Sequence, residues 1–221
     1  MLDRYAHLVV GKIDDPSAED LVKWSELSPV PFAEFEWLQG APSKYYNDSH
    51  KRFLISVREF VDKELRPIAV RHDDSGKIPP PALFKKMGAF GLLAARLGPG
   101  PWLSMLPFEL PGGVKPEEYD HFHEMIATEE LVRLGTPGFI DGIGTGAVIG
   151  LPAVVVFGAQ ALAMKVATEV LSGEKTICLA ISEPQAGSDV ADLRTTAVKS
   201  PCGKFYVVNG LKKWITPVNP S

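Results

Sequence analysis

Between residues 47 and 172 the apolar positions recur every three or four residues, and from 176 onward they alternate. The first period is that of amphipathic helices and the second that of strands. Asn47-Asp48-Ser49 can cap a helix carrying Phe53, Val57, Phe60 and Leu65 on one face, with Pro67 marking its end. Pro79-Pro80-Pro81 opens a second helix through Phe84, Met87 and Phe90, closing near Gly91. The Pro- and Gly-rich stretch 99–114 reads as a loop. A third helix is expected from about Pro116 to Leu134, with Tyr119, Phe122 and Ile126 in one stripe. Two more follow near 138–157 and 159–172, ending at Gly173.

The alternating region predicts strands over 176–182 and 193–199. Phe205 to Val208, then Asn209-Gly210, reads as a hairpin whose returning strand is 211–216. The expected fold class is α+β, mostly α: an N-terminal helical bundle leading into the first strands of an incomplete β-barrel. Three units follow: an irregular extension over 1–44, the helical domain over 45–175, and a truncated β-domain over 176–221. Prolines at 16, 29, 31 and 42 keep the extension largely irregular, with one short helix expected near 17–24.

Composition narrows the function classes. The 221 residues are 45% hydrophobic and 23% charged, ordinary for a soluble globular protein. With 27 acidic and 23 basic residues the net charge is −4, and no basic patch forms, so nucleic acid is not an expected partner. Cys178 and Cys202 have no metal-ligand spacing, no metal site is expected, and a reducing compartment fits them. Asp3 and Arg4 interrupt the start, an acidic cluster follows at 14–20, and Asn219-Pro220-Ser221 is no peroxisomal tripeptide. Cytoplasm is the default expectation, since neither a mitochondrial nor a peroxisomal signal is seen. The uncharged run from Gly142 to Met164 could be taken for a membrane span. Glycines and Pro152 interrupt it, and Gly158-Ala159-Gln160 reads as a break, so two buried bundle helices are expected instead.

Several candidate motifs lose their chemistry on inspection. Gly142-Ile-Gly144-Thr-Gly146-Ala147 outlines a dinucleotide fingerprint, but helical sequence precedes it and no βαβ unit follows. Close helix packing accounts for those glycines. His121 and His123 sit two apart on a helix and project to opposite sides, so they cannot share one ion. His7, His50 and His72 have no evident partners. Ser182 and Ser188 have no activating histidine nearby in sequence.

One pair of segments remains. Residues 178–189 form a strand ending in Ser182-Glu183-Pro184, then a tight bend through Gln185-Ala186-Gly187-Ser188-Asp189. Trp214-Ile215-Thr216 can lie on a neighbouring strand. A hydroxyl, a flexible glycine, a carboxylate and an indole then converge, a set suited to the edge of a flat heteroaromatic cofactor. A β-turn with polar capping accounts for the bend equally well when it is taken alone.

These segments resemble the middle-domain signature of the acyl-CoA dehydrogenase flavoproteins. The resemblance extends through Phe157-Gly158 with Gln160, Leu171-Ser-Gly173-Glu174-Lys175, and Glu129-Glu130-Leu131-Val132-Arg133, covering roughly 45–216. It implies FAD as cofactor, with Leu179, Ile181 and Ser182 at the pyrimidine edge. Gly187 and Ser188 would border the pyrophosphate and the acyl-CoA pantetheine, which makes Ser188 the substrate-binding position. Trp214 would lie against the isoalloxazine ring, Ile215 beside it, and Thr216 toward its reactive nitrogen. The implied activity is α,β-dehydrogenation of an acyl-CoA thioester, in homo-oligomeric relatives, with the electron acceptor unspecified. No catalytic residue is assigned, because in the family the glutamate base lies in a C-terminal helical domain. This chain is therefore expected to be an N-terminal portion with doubtful stand-alone catalysis. Asp192 stands where the family has a small residue, and Pro217 follows Thr216 where the family has Asn-Gly. Acyl-CoA oxidases and nitroalkane oxidases share this half of the fold and remain alternatives. So does a non-catalytic helical interaction module.

Overall fold

The computed structural model describes residues 33–105 and 109–216. The expected helix near 17–24 and the terminal residues 217–221 lie outside the described residues. The architecture is α+β and mostly helical, as the two periods require. Helix α1 (Asp48–Phe60) passes through a π-turn (Val61–Leu65) into α2 (Arg66–Ser75). Short helices α3 (Pro81–Ala89) and α4 (Leu92–Leu97) follow, then α5 (His121–Val132). Helix α6 (Pro137–Ile140), a second π-turn (Asp141–Thr145) and α7 (Gly146–Phe157) form one continuous rod, and α8 (Gln160–Leu171) returns beside it. Phe53, Val57, Leu65, Met87, Leu92, Ile126, Leu131, Ile143, Leu151 and Leu171 meet in one fully buried core.

Three helix boundaries differ from expectation. Pro67 does not end the first helix. It enters two residues past the π-turn, just after Arg66, whose N–H reaches back five residues to the Val61 carbonyl. The widened register accommodates a residue that lacks its own N–H. The third helix starts at His121 rather than Pro116, because Asp120 caps it and accepts from the N–H groups of Phe122 and His123. Tyr119 therefore lies outside the helix, although it is buried and its hydroxyl donates to the Ala95 carbonyl at 2.5 Å. The break at Gly158-Ala159 is present between α7 and α8. Among the described residues one helix, Pro137–Phe157, is long and apolar enough to cross a membrane, and about a third of its most apolar stretch is buried.

The β region is smaller than expected. Residues 176–182 run extended without a ladder, and the only paired strands among the described residues are β1 (Thr196–Lys199) and β2 (Tyr206–Asn209), antiparallel with Thr196 opposite Asn209. The reversal is not at Asn209-Gly210, and 211–216 is not a returning strand. Ser200-Pro201-Cys202-Gly203 has proline and glycine at the positions a tight turn favours. The Gly203 N–H donates to the Ser200 carbonyl at 2.9 Å, and Ser200 closes onto Phe205 at 2.8 Å. That turn captures β2 for β1 and leaves Asn209-Gly210 outside it.

Candidate flavin-edge site

Glu183 organises the region where the sequence places its cofactor residues. The bend closes on itself: the Glu183 N–H donates to the Ala186 carbonyl at 2.9 Å and the Ala186 N–H returns to Glu183 at 3.1 Å. The Glu183 side chain turns inward and is nearly fully buried. It accepts from the Arg194 N–H at 2.7 Å, the Thr195 N–H at 3.1 Å, Gln185 Nε2 at 2.7 Å and Lys212 Nζ at 2.9 Å. The Thr195 hydroxyl donates to it as well. Hydrogen bonds from Lys212, Thr195 and Arg194 hold its carboxyl far below the usual carboxylate range. One buried anion thus ties together 183–186, 194–195 and 212.

The same lysine pair brings Trp214 to the bend. Lys212 Nζ also donates to the Ile181 carbonyl at 2.9 Å, and the Lys213 N–H donates to the Ser182 carbonyl at 2.9 Å. With those carbonyls occupied, the N–H and hydroxyl sides of 181 and 182 are what remain for a ligand. Trp214 adopts φ +60, a left-handed conformation that costs a bulky residue on the order of 1–3 kcal/mol. Its ring is 82% exposed, with Lys213 Nζ 4.8 Å from the centroid. Ile181, Gly187 and Ser188 are exposed beside Leu179, Ser182 and Ile215, which are half-buried. A side chain at Gly187 would meet nothing within 4 Å, so the outer face of the bend is open. Thr216 is exposed at the end of the described chain. Asp192, the departure noted above, is half-buried in a short turn (Val190–Asp192) and pairs with Arg194 at 3.2 Å.

Glu183 was not among the residues singled out from sequence. Its signal was available: an acidic residue inside an apolar strand end, with Lys212 near the partner segment. The histidines also find partners that sequence did not reveal. His72 Nδ1 contacts the Lys77 carbonyl at 2.8 Å. His50 and His123 are both buried and stack at 3.9 Å, each occupying the fourth position of a capping box. The Asn47 N–H donates to His50 Nδ1 at 3.1 Å and the Asp120 N–H to His123 Nδ1 at 3.2 Å. That leaves the Nε2 protons for Asp120 (3.0 Å) and the Ser49 hydroxyl (3.2 Å) respectively. Their ligand atoms and that of Asp120 lie within 4.8 Å of one another. An ion in the plane of one stacked ring would lie over the face of the other, so the cluster is built as a double helix cap.

Residues 47–174 match the description "Acyl-CoA dehydrogenase, N-terminal domain" and residues 178–220 match "Acyl-CoA dehydrogenase, middle domain". The chain belongs to the acyl-CoA dehydrogenase family. It is 41% identical to acyl-CoA dehydrogenase apdG of Emericella nidulans over 194 residues, covering 87% of this chain and 44% of that protein. It is 37% identical to acyl-CoA dehydrogenase AFT10-1 of Alternaria alternata, covering 86% of this chain and 43% of that one. Among solved structures, an acyl-CoA dehydrogenase from Geobacillus kaustophilus superposes with TM-score 0.62 at 30% identity, over 79% of this chain and 41% of that one. The Bacillus anthracis acyl-CoA dehydrogenase complexed with FAD gives TM-score 0.65 at 26% identity, over 81% and 28%. This acyl-CoA dehydrogenase-family chain thus spans less than half the length of the curated relatives it matches.

Proposed function

We propose that the chain supplies the flavin-binding face of an FAD-dependent acyl-CoA dehydrogenation. The observation that carries the reading is the joining of the Ile181-Ser182 bend to the Lys212-Trp214 segment by Lys212, Lys213 and Glu183. The donor set suits the cofactor. An exposed indole in a strained conformation offers a flat apolar face, and unoccupied N–H and hydroxyl groups at 181–182 suit the polar pyrimidine edge. The open bend at Gly187-Ser188 allows close approach of a phosphate or pantetheine chain.

Held by Leu179, Ile181, Ser182 and Trp214, FAD would supply a hydride acceptor for the β-carbon of the thioester. The chain's own share is positional. Leu179, Ile181 and Ser182 would present preorganised donors to the ring edge, where negative charge develops on reduction. Trp214, Ile215 and Thr216 would cover its face and exclude water. Ser188 would orient the acyl-CoA. Removal of the α-proton is assigned to no residue of this chain.

FAD titration tests the reading. FAD should raise the melting temperature and quench Trp fluorescence, because a ligand that binds only the folded state stabilises it by mass action. Trp214→Ala should weaken both responses about tenfold or more. No thermal shift at saturating FAD would leave the helical interaction module as the better account. Hexanoyl-CoA should add a further shift only when FAD is present.

A further inference from the structure

Asn209-Gly210 lies outside the turn that joins β1 to β2, at the point where the chain leaves the ladder. Both residues are exposed. Asn47 spends its side chain on capping α1, whereas the Asn209 side-chain amide has no hydrogen-bond partner among the described residues. The Gly210 N–H has none there either. A side-chain amide directly before a free glycine N–H is a reactive pair as well as a turn signal. Glycine puts no Cβ in the way of ring closure and lets the backbone rotate. Asp141-Gly142 has a similar order of groups, but it sits inside a helical rod whose hydrogen bonds hold the backbone.

The reaction open to this pair is internal. The Gly210 backbone nitrogen attacks Asn209 Cγ, the Cγ–Nδ2 bond breaks, and ammonia leaves with the proton that Gly210 gives up. The product is a five-membered succinimide. Water then adds to one of its two carbonyls. Opening on one side gives an ordinary aspartate, and opening on the other gives isoaspartate, in which the main chain runs through the former side chain. Water is the one co-reactant, and no oxidation state changes.

What lies behind Gly210 gives that reaction a consequence. A Cβ on Gly210 would stand 2.1 Å from Thr195 Oγ1 and 2.9 Å from Thr195 Cα, so the main chain is pressed against Thr195 with no spare room. Thr195 donates both its hydroxyl and its N–H to Glu183. Two residues beyond Gly210, Lys212 Nζ reaches the same carboxylate at 2.9 Å and the Ile181 carbonyl at 2.9 Å. Isoaspartate lengthens the main chain by a carbon between β2 and Lys212 and adds a negative charge where the amide was neutral. The longer chain has to displace Thr195 or Lys212 from Glu183, because the contact at Gly210 has nothing to give. We propose that Asn209-Gly210 is a self-modifying site whose conversion to isoaspartate loosens the Glu183 junction, a slow one-way switch on the bend that carries Ile181 and Ser182.

The test ages the 221-residue chain at mildly alkaline pH beside a synthetic peptide of its residues 205–213, with both mapped by mass spectrometry over days. Asn209 of the folded chain should gain about one mass unit no more than about tenfold slower than the peptide does, since no hydrogen bond protects it. The aged chain should also become a substrate for isoaspartate methyltransferase with S-adenosylmethionine. Slower conversion than that, or aspartate as the sole product, overturns the assignment. In the converted fraction, hydrogen exchange should quicken severalfold at 181–186, 194–195 and 212–214, while α1 and α5 stay as they were. Asn209→Gln closes a ring far less readily and should remain unconverted, with slow exchange, over the same period. Freshly purified Asn209→Asp carries the charge without the longer main chain and should keep the slow exchange as well. Conversion with unchanged exchange, or equal quickening in aged Asn209→Gln, overturns the link to Glu183. Fast exchange in fresh Asn209→Asp assigns the effect to charge and overturns the main-chain account. FAD takes no part in the readout, so the outcome is independent of the cofactor reading.

Discussion

At residue 183 a single carboxylate decides whether three chain segments stay together. Five donors converge on it, and removing its charge leaves Lys212 facing a neutral partner. The sign of its pH dependence follows from the direction of its shift. Its folded form is held far below the ordinary carboxylate range, so its stabilising contribution is complete at neutral pH. That contribution is lost only as pH falls below the unfolded value of about 4. Glu183→Gln keeps the shape and should flatten the acid limb of stability below about pH 4, as read by melting temperature against pH. It should also loosen the junction, so that Trp214 fluorescence becomes more solvent-like at pH 7. An unchanged acid limb and an unchanged spectrum would show that the knot carries no stability. This junction was half-legible from sequence. Ser182 and Trp214 could be placed side by side from alternation and bend chemistry, whereas their actual link is through carbonyls to Lys212 and Lys213, whose direction alternation does not encode.

Between elements, ion pairs and glycines hold the helices at their crossings. Arg58 on α1 reaches Glu130 on α5 at 2.8 Å and Glu34 from the preceding segment at 2.7 Å, all three nearly fully buried. Burial works against the Arg58 charge, but the hydrogen bonds it donates to Glu130 and Glu34 outweigh that and push its pKa up. Arg58→Ala takes the shared guanidinium away from two buried carboxylates, leaving Glu130 with Arg133, and should cost about 3–5 kcal/mol in urea unfolding. Gly173, at φ +75, ends α8 against α3, with its would-be Cβ 2.1 Å from the Phe84 carbonyl oxygen. Gly173→Ala adds both a left-handed strain and a backbone clash, so a loss of about 2–4 kcal/mol is expected. The α1–α5 junction is pH-sensitive in a second way. Burial pushes the His123 pKa down, more than the hydrogen bond that a protonated ring would donate to the Asp120 carboxylate raises it. A histidine held neutral in the fold stabilises above its unfolded pKa near 6.5 and loses that contribution as pH falls below it. Melting temperature should therefore drop between about pH 7 and pH 5, and His123→Gln, which can still fill a capping box, should remove that drop. Helix existence was readable because periodicity reports burial. Boundaries were not, because the π-turn before Pro67 and the Asp120 cap depend on partners distant in sequence.

Across the whole molecule, cohesion is uneven. The helical core is closed around fully buried Phe53, Leu65, Met87 and Ile126, while every residue of β1 and β2 is exposed. Apolar side chains on that hairpin face outward, including Tyr206, Val207, Val208 and Val198, each more than half exposed. A two-stranded sheet is marginal by itself in water, so what holds this region is the Glu183 knot, with the chain leading into it packed against α7 where Gly150 meets the Cys178 backbone. The order in which regions open should follow. Hydrogen exchange measured by mass spectrometry should show amides of α1 and α5 protected near the global stability, and those of 196–209 exchanging orders of magnitude faster. Saturating FAD should slow exchange at 179–188 and 212–216 selectively, because those backbone groups would face the ring, and should leave α1 and α5 unchanged. Glu183→Gln should accelerate the same segments with or without FAD. If instead FAD protects the bundle and not the bend, the ligand is seated elsewhere, and the 780 Å³ cavity walled by Phe84, Phe139 and Gly173 becomes the place to look.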